Sequence, residues 1–347
     1  MEVQPEESYR QIGVRSHGRG VFHKDAVTGA ALGGKRVFHV VPNSFVVNIV
    51  FAWEQAIALI SDDEKNFIAS HRFPMFLEKN EKSFLPFIRE FFLRKRGKQL
   101  LELASPGGAG RNKTLGQQEF LKLKVRVPER NEQKKIAALL GVVDAKIAAL
   151  RDRQAGLTHY KRGLMQALFS QTLRFTQPDG TPFPDWEEKR LGEVLTIGSG
   201  RDYKHLSEGS IPVYGTGGYM TSVDQYLFDG ESVCIGRKGT IDSPTLLTGK
   251  FWTVDTLFYT HSFKGVSPRF IFAIFLQINW KKHNEASGVP SLSKGTIEKL
   301  KVQLPHPDEQ AKIAEALQAM DAKIAAVAGQ VAQMEAFKKG LLQQMFV

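Results

Sequence analysis

The strongest constraint on this chain is a repeat. Val125–Ser170 aligns with Val302–Val347 without a gap, at an offset of 177 positions, and 20 of the 46 aligned residues are identical. The matches include Pro128/Pro305, Glu132/Glu309, Gln133/Gln310, the "DAKIAA" blocks at Asp144 and Asp321, Lys161/Lys338 and Gly163/Gly340. Agreement of that density is not accidental. The repeat continues more weakly upstream, where "TLGQQEFLKLKVRVP" (Thr114 to Pro128) aligns with "SLSKGTIEKLKVQLP" (Ser291 to Pro305). Two units with so long a period exclude a solenoid and favour a pseudo-two-fold molecule.

Each copy carries the pattern of a long helix. Pro128 and Pro305 precede it, and Asn131 and Asp308 can cap it. In the first copy Ile136, Val143, Leu150, Leu157 and Leu164 recur every seven residues, with Leu140, Ile147 and Leu168 beside them. In the second the same spacing holds for Ile313, Met320, Val327, Met334 and Leu341, flanked by Leu317, Ile324, Val331 and Met345. A heptad sustained this long predicts a coiled-coil seam. At 1.5 Å per residue, roughly 40 residues give a rod of about 60 Å.

The expected fold is α+β: two globular mixed α/β domains separated by two long helices packed as an antiparallel coiled coil. Each half should contain a variable region, a strand ending in proline and a helix. The boundaries are 1–127 for the first domain and 128–170 for the first helix. The linker is 171–185, rich in Pro and Gly; the second domain is 186–304 and the second helix 305–347. Within the first domain, "RVFHVVP" and "FVVNIVFAW" read as strands. "EKSFLPFIREFFLRKRGKQLLELAS" reads as one helical segment with an aromatic stripe and a basic run at Arg94–Lys98.

The formal net charge is +11, which favours a polyanionic partner, nucleic acid before an anionic membrane. Charge alone also fits a basic protein with no such partner. The single cysteine, Cys234, excludes a disulfide framework and a thiolate-rich zinc site. Within the apolar run "ESVCIG" it is expected to be buried and inert. The start "MEVQPEESYRQIG" has no signal pattern and no apolar run reaches the length of a membrane span, so a cytoplasmic location is expected.

Candidate contacts to a polyanion lie in Gly-rich basic loops. In the first domain "IGVRSHGRGVFHK" supplies Arg15, His17, Arg19 and Lys24, "SHRF" supplies Arg72, and "GGAGRNKT" supplies Arg111 and Lys113. In the second, "IPVYGTGGYMTS" supplies Tyr214, "CIGRKGTIDSP" supplies Arg237, Lys238 and Thr240, and "ASGVPSLSKGT" supplies Lys294. Arg and Lys can meet phosphates or guanine edges, and glycines allow close approach of the backbone. A solvated surface charge is the competing reading of each, and is expected to hold for a third to a half of them.

Catalytic signatures are absent. There is no Walker-type loop, no Asp-Pro-Pro-Tyr-like methyltransferase motif and no paired histidine spacing. "PDWEEK" (Pro184 to Lys189) crowds its acidic residues, and "DTLFYTH" offers Asp255 and His261 without a nucleophile. A non-catalytic chain without cofactor or metal is expected.

The duplicated "P-x-x-x-E-Q-x-K-I-A" starts, the "DAKIAA" blocks, the "K-x-G-L-x-Q" ends and the entry "WEEKRLGEV" (Trp186 to Val194) resemble the specificity subunit of type I restriction–modification systems. "GRKGTI…FWTVDTLFY" and "IGVRSHGRGVFHK…NIVFAWEQAIA…FIASHRFP" resemble variants of its target-recognition domains. The resemblance implies that each domain reads one half of a bipartite, asymmetric site on double-stranded DNA. It implies partners too: two methyltransferase subunits docked on the helices, and restriction/translocase subunits joined through the complex, with no membrane association. A rod of about 60 Å, under two DNA turns of about 34 Å, suits readout on one face of the duplex. The chain departs from the pattern at its start, where Met1 opens the first domain with no counterpart of the Trp186 entry. A short first domain and an incomplete one both remain open. The alternative from another class is a coiled-coil interaction scaffold without sequence-specific DNA binding.

Overall fold

In the computed structural model, which describes residues 1–79, 81–107 and 113–345, both repeat copies form the long helices expected of them. The first spans Arg130–Phe169 and the second Pro307–Met345. Ile136, Leu140, Val143, Ile147 and Leu150 are buried along the first, and Ile313, Leu317, Met320, Val327 and Val331 along the second. The heptad positions are thus the seam.

The chain divides into two compact units, residues 1–151 with 330–347 and residues 152–329. Each unit draws on both helices, and within each the helices run antiparallel. In the first, Asp144 pairs with Lys338 at 2.7 Å and Arg151 with Glu335 at 2.5 Å. In the second, Lys161 pairs with Asp321 at 2.6 Å. Asp144–Lys338 and Lys161–Asp321 are the same pair under the repeat offset. Such part-exposed pairs add little stability, so their consequence is register.

The first unit is built on short strands. Phe45–Val47 is the centre of a three-stranded antiparallel sheet, between Ile57–Leu59 and Met75–Phe76. Its side chains alternate between two cores: Phe45 and Val47 pack with Phe92, Leu101 and Leu115, whereas Val46 packs with Ile12, Val14 and Phe67. Val37–His39 pairs with Ile68–Ser70, and Ile12–Val14 forms a hairpin with Val21–His23.

Two expectations for this half need correction. The segment read as one helix is two, Leu85–Phe92 and Lys95–Leu103. Gly97, in the first turn of the second, permits their close approach. A Cβ there would lie 2.3 Å from the Phe91 carbonyl oxygen, so only glycine lets the second helix fold back onto the first. Within the Arg94–Lys98 run, Arg94 is half-buried, its pKa lowered by burial, and Gly97 is buried. Second, Lys124–Val127, aligned with the strand Lys301–Leu304, is not a strand. Lys301–Leu304 exists because it pairs antiparallel with Glu187–Arg190, and no described strand lies beside Lys124–Val127. A strand without a partner has no ladder to form.

The second unit has two four-stranded sheets. One is antiparallel throughout, ordered Thr196–Ser199, Leu257–His261, Ser232–Gly236, Thr245–Leu247. The other is ordered Gly218–Val223, Glu208–Gly215, Lys250–Thr253, Phe228–Asp229, with a parallel pairing of Val213 to Trp252. The helix Pro268–Gln277 packs Phe270, Ile271 and Phe275 into the main core with Leu168, Ile313 and Leu317 of the long helices.

The repeated glutamines join each domain to its helix. Gln133 is fully buried and Gln310 nearly so, at 0% and 2% exposure. The Gln133 amide oxygen accepts from the Phe84 N–H (2.8 Å), at the start of helix Leu85–Phe92, and its nitrogen donates to the Lys82 and Pro128 carbonyls (2.9 and 2.8 Å). Gln310 accepts from the Ser267 N–H (3.3 Å), at the start of helix Pro268–Gln277, and donates to the Gly265 and Pro305 carbonyls (3.0 and 2.9 Å). The two networks are equivalent bond for bond.

The neighbouring glutamates differ. Glu309 is buried and accepts from the Arg174 guanidinium (2.9 Å) and the Trp186 indole N–H (3.2 Å), which ties the connector to the second helix. Glu132 is exposed.

Gln310→Ala should cost about 2–4 kcal/mol, because a buried N–H and two carbonyls lose their partners together. Urea unfolding followed by tryptophan fluorescence checks this, since Trp186, Trp252 and Trp280 all lie in the second unit.

Candidate nucleic-acid interface

The first-domain candidates start from a hairpin. The loop from Arg15 to Gly20 is closed by the Arg15 N–H donating to Gly20 (3.0 Å). It is fastened at its tip: the His17 N–H donates to the Glu54 carbonyl (2.7 Å), the Gly18 N–H to that of Gln55 (2.9 Å), and the Ser16 hydroxyl to the Glu54 carboxylate (2.9 Å). His17 is held in the left-handed region at φ 58, a conformation a non-glycine residue adopts at a cost of about 1 kcal/mol. With the backbone so occupied, the side chains of Arg15, His17 and Arg19 are left exposed. Arg15 lies over the Phe22 ring at 4.9 Å.

The same short segment gathers two more candidates. The Lys113 ammonium lies 5.8 Å from the Trp53 ring, one residue from Glu54. Arg72, exposed, accepts at its carbonyl from the Ile49 N–H (3.0 Å). Lys24 is exposed at the opposite end of the hairpin and is not brought to the loop. Arg111 lies outside the described residues.

In the second domain three loops distant in sequence are knitted together through their backbones. The Arg237 and Lys238 N–H groups both donate to the Thr256 carbonyl (2.8 and 3.3 Å). The Leu292 N–H donates to the Arg237 carbonyl (2.9 Å), and the Gly239 N–H to that of Pro290 (2.9 Å). The result is a groove of about 560 Å³ whose lining includes Arg237, Lys238, Lys294, Asp255 and Glu285. Arg237 and Lys238 are exposed. Lys294 opens the short helix Lys294–Lys299, which Ser293 caps. Burial, and after it the Lys294 charge, holds the His261 pKa below the ordinary value.

Glu285 organises this loop. Its carboxylate accepts from the Ser293 N–H (3.2 Å), the Ser293 hydroxyl (2.8 Å) and the Thr296 hydroxyl. The hydrogen bonds from Thr296 and Ser293 hold its pKa below the usual glutamate range.

Two candidates stand apart from the groove. Tyr214 is half-buried and packs against Cys234, Phe251 and Leu257. Its cross-strand partner Tyr219 is 63% exposed. Thr240 is exposed, and its backbone packs on Gly236. Cys234 is buried, its thiol pKa pushed up to about 12 by desolvation.

Sequence reasoning misses the exposed Arg201, Lys204 and His205 near Trp252 of the second sheet. "RDYKH" carries their charge openly. Its position is set by the Arg201 N–H donating to Thr253 (2.8 Å) and by the Trp252 indole donating to the Arg201 carbonyl (2.8 Å).

Residues 43–159 and 184–336 match the family model described as the type I restriction modification DNA specificity domain, so the chain belongs to that family. Among curated relatives, it is 24% identical over 268 residues to the type I restriction enzyme MjaVIII specificity subunit of Methanocaldococcus jannaschii, across 64% of this chain and 61% of that subunit. The fold resembles the crystal structure of a type I restriction–modification S subunit from M. genitalium, with a TM-score of 0.64 and 16% identity over 100% of this chain and 98% of the other. It also resembles a chain from a structure on complex assembly and conformational transition of a type I system, with a TM-score of 0.57 and 16% identity over 99% of this chain and 92% of that one. No helix among the described residues is long and apolar enough to cross a membrane.

Two outcomes follow from the groove. Gly236→Ala would put a methyl carbon 2.0 Å from the Thr240 carbonyl oxygen, so the tip carrying Arg237 and Lys238 must open. The expected cost is about 1–3 kcal/mol, with faster hydrogen exchange at the Arg237 and Lys238 amides. The second concerns pH. A carboxylate with a depressed folded pKa stabilises above its unfolded pKa, and that contribution fades as pH falls through the folded value. The Asn284–Lys294 loop should therefore loosen on acidification below the ordinary glutamate range. Hydrogen exchange at the Ser293 amide reads this, and Glu285→Gln should remove the pH dependence.

Proposed function

We propose that this chain is a non-catalytic specificity subunit that reads a bipartite, asymmetric site on double-stranded DNA, one half with each domain. It would direct methyltransferase and restriction/translocase subunits to that site, and work in the cytoplasm. The observation that carries the reading is the groove where Arg237, Lys238 and Lys294 converge from loops distant in sequence. Exposed Arg237 and Lys238 beside half-buried Lys294, all on a fixed backbone, suit phosphate and base-edge contacts. The first domain presents a different set, Arg15, His17, Arg19, Arg72 and Lys113, on an unrelated loop frame, which supports unlike half-sites. Arg111, Lys24, Tyr214 and Thr240 are retained as candidates for DNA contact outside the two loop clusters.

Docking of two copies of one partner is supported by the repeat itself. Tyr160 and Phe337 are equivalent at the 177 offset, one in each unit, and are 61% and 52% exposed. Large apolar side chains left outside at equivalent places suit a partner surface used twice. A scaffold without DNA binding leaves the basic loops without a role.

The test uses the full chain assembled with its methyltransferase subunits and duplex DNA at several salt concentrations. Arg237→Ala combined with Lys238→Ala should weaken binding and reduce the salt slope by about 1 for each phosphate that is no longer neutralised. Unchanged affinity and slope would remove the groove from the interface.

A further inference from the structure

The groove also holds a carboxylate that the loops do not need. Asp255 sits in the tight turn closed by the Leu257 N–H donating to the Val254 carbonyl (2.9 Å). It lines the groove, is exposed, and makes no ion pair or side-chain hydrogen bond among the described residues. Glu285, the other lining carboxylate, is occupied by Ser293 and Thr296. Asp255 is also held in place relative to the cations. The next residue, Thr256, supplies the carbonyl that accepts from both the Arg237 and Lys238 N–H groups.

On a surface that binds phosphates, an unpaired carboxylate is a liability. It repels each phosphate that comes near, more strongly at the lower effective dielectric near a protein surface than in bulk water. A carboxylate can only accept hydrogen bonds. The donors that duplex DNA offers in its major groove are the exocyclic amines, N4 of cytosine and N6 of adenine. Guanine and thymine present acceptors at the corresponding edge and would be rejected.

Resting on the DNA-reading function above, we propose that Asp255 is a specificity-determining residue of the second domain. Its carboxylate accepts a hydrogen bond from the exocyclic amine of one cytosine or adenine in the half-site that this domain reads. Arg237, Lys238 and Lys294 take the neighbouring phosphates and guanine edges.

The experiment compares the complete system carrying the wild-type chain, Asp255→Ala or Asp255→Asn. The methylated motif is read by sequencing genomic DNA, and binding of the assembled complex is measured on specific and unrelated duplexes. Asp255 has no side-chain bond to lose, so both variants should fold. In the wild-type motif one half-site should contain a position restricted to an amine-bearing base. Asp255→Ala should make that position degenerate, with discrimination falling about 5- to 150-fold, while affinity for unrelated DNA stays level or rises. Asp255→Asn keeps an acceptor oxygen but no charge, so it should retain part of the preference. The other half-site should not change. An unchanged motif with an unchanged ratio of specific to unrelated binding overturns the proposal. So does an equal rise on both duplexes in both variants, which would reduce Asp255 to a bulk charge. If the wild-type system yields no motif and no salt-sensitive preference for any duplex, the DNA-reading function fails, and the proposal with it.

Discussion

Everything variable in this chain hangs on a buried primary amide. Gln133 and Gln310 each use one oxygen and one nitrogen to hold three backbone groups. Two of those groups flank the entry to a domain helix, and the third is the proline carbonyl that precedes the long helix. The side chain therefore fixes the angle between the domain helix and the long helix without any residue of the domain having to match. Only backbone atoms are recognised. This explains how a repeated residue can serve two domains whose sequences have little in common: Phe84 and Ser267 are chemically unlike, yet offer the same N–H.

The loops follow a related rule. In both domains the backbone of a candidate loop is consumed by hydrogen bonds to other backbone, His17 and Gly18 to Glu54 and Gln55, Arg237 and Lys238 to Thr256. Side chains at those positions are released from any structural duty and can be varied at little cost to folding. A rigid backbone with free side chains lowers the ordering cost of binding. Arg237, Lys238 and Asp255 fit that description; Tyr214, packed against Cys234 and Phe251, does not.

The framework is legible in the sequence and the sites only in part. Heptad spacing and an ungapped repeat specify long antiparallel helices because burial along a seam is periodic, and periodicity survives in a single sequence. The Glu-Gln pair is visible as a repeat, but nothing distinguishes a buried Gln310 and Glu309 from an exposed Glu132, since that depends on which strand, connector or indole arrives from elsewhere. The break after Phe92 is hidden for the same reason, as the close neighbour of Gly97 is the backbone of the preceding helix. Basic loops are visible as composition. Their convergence is not, because Arg237, Asp255 and Lys294 meet through cross-loop hydrogen bonds that leave no spacing in the chain. Choosing between Tyr214 and Tyr219 requires knowing which ring the neighbouring sheet covers.

The two halves also show where duplication stops being exact. Gln133 and Gln310 keep identical partners, and so do Asp144–Lys338 and Lys161–Asp321. Glu309, however, binds Arg174 of the connector and Trp186 at the entry of the second domain, while Glu132 faces solvent. Lys301–Leu304 has a strand to pair with and Lys124–Val127 has none among the described residues. Both differences lie where the second half receives the connector and its entry strand. The bonds that survive duplication are those whose partners lie within the helices or on domain backbone. The bonds that differ require a particular side chain or strand from outside the repeat. Equivalence in this molecule is thus kept by backbone recognition and helix register, the two kinds of contact least sensitive to what the intervening domain has become.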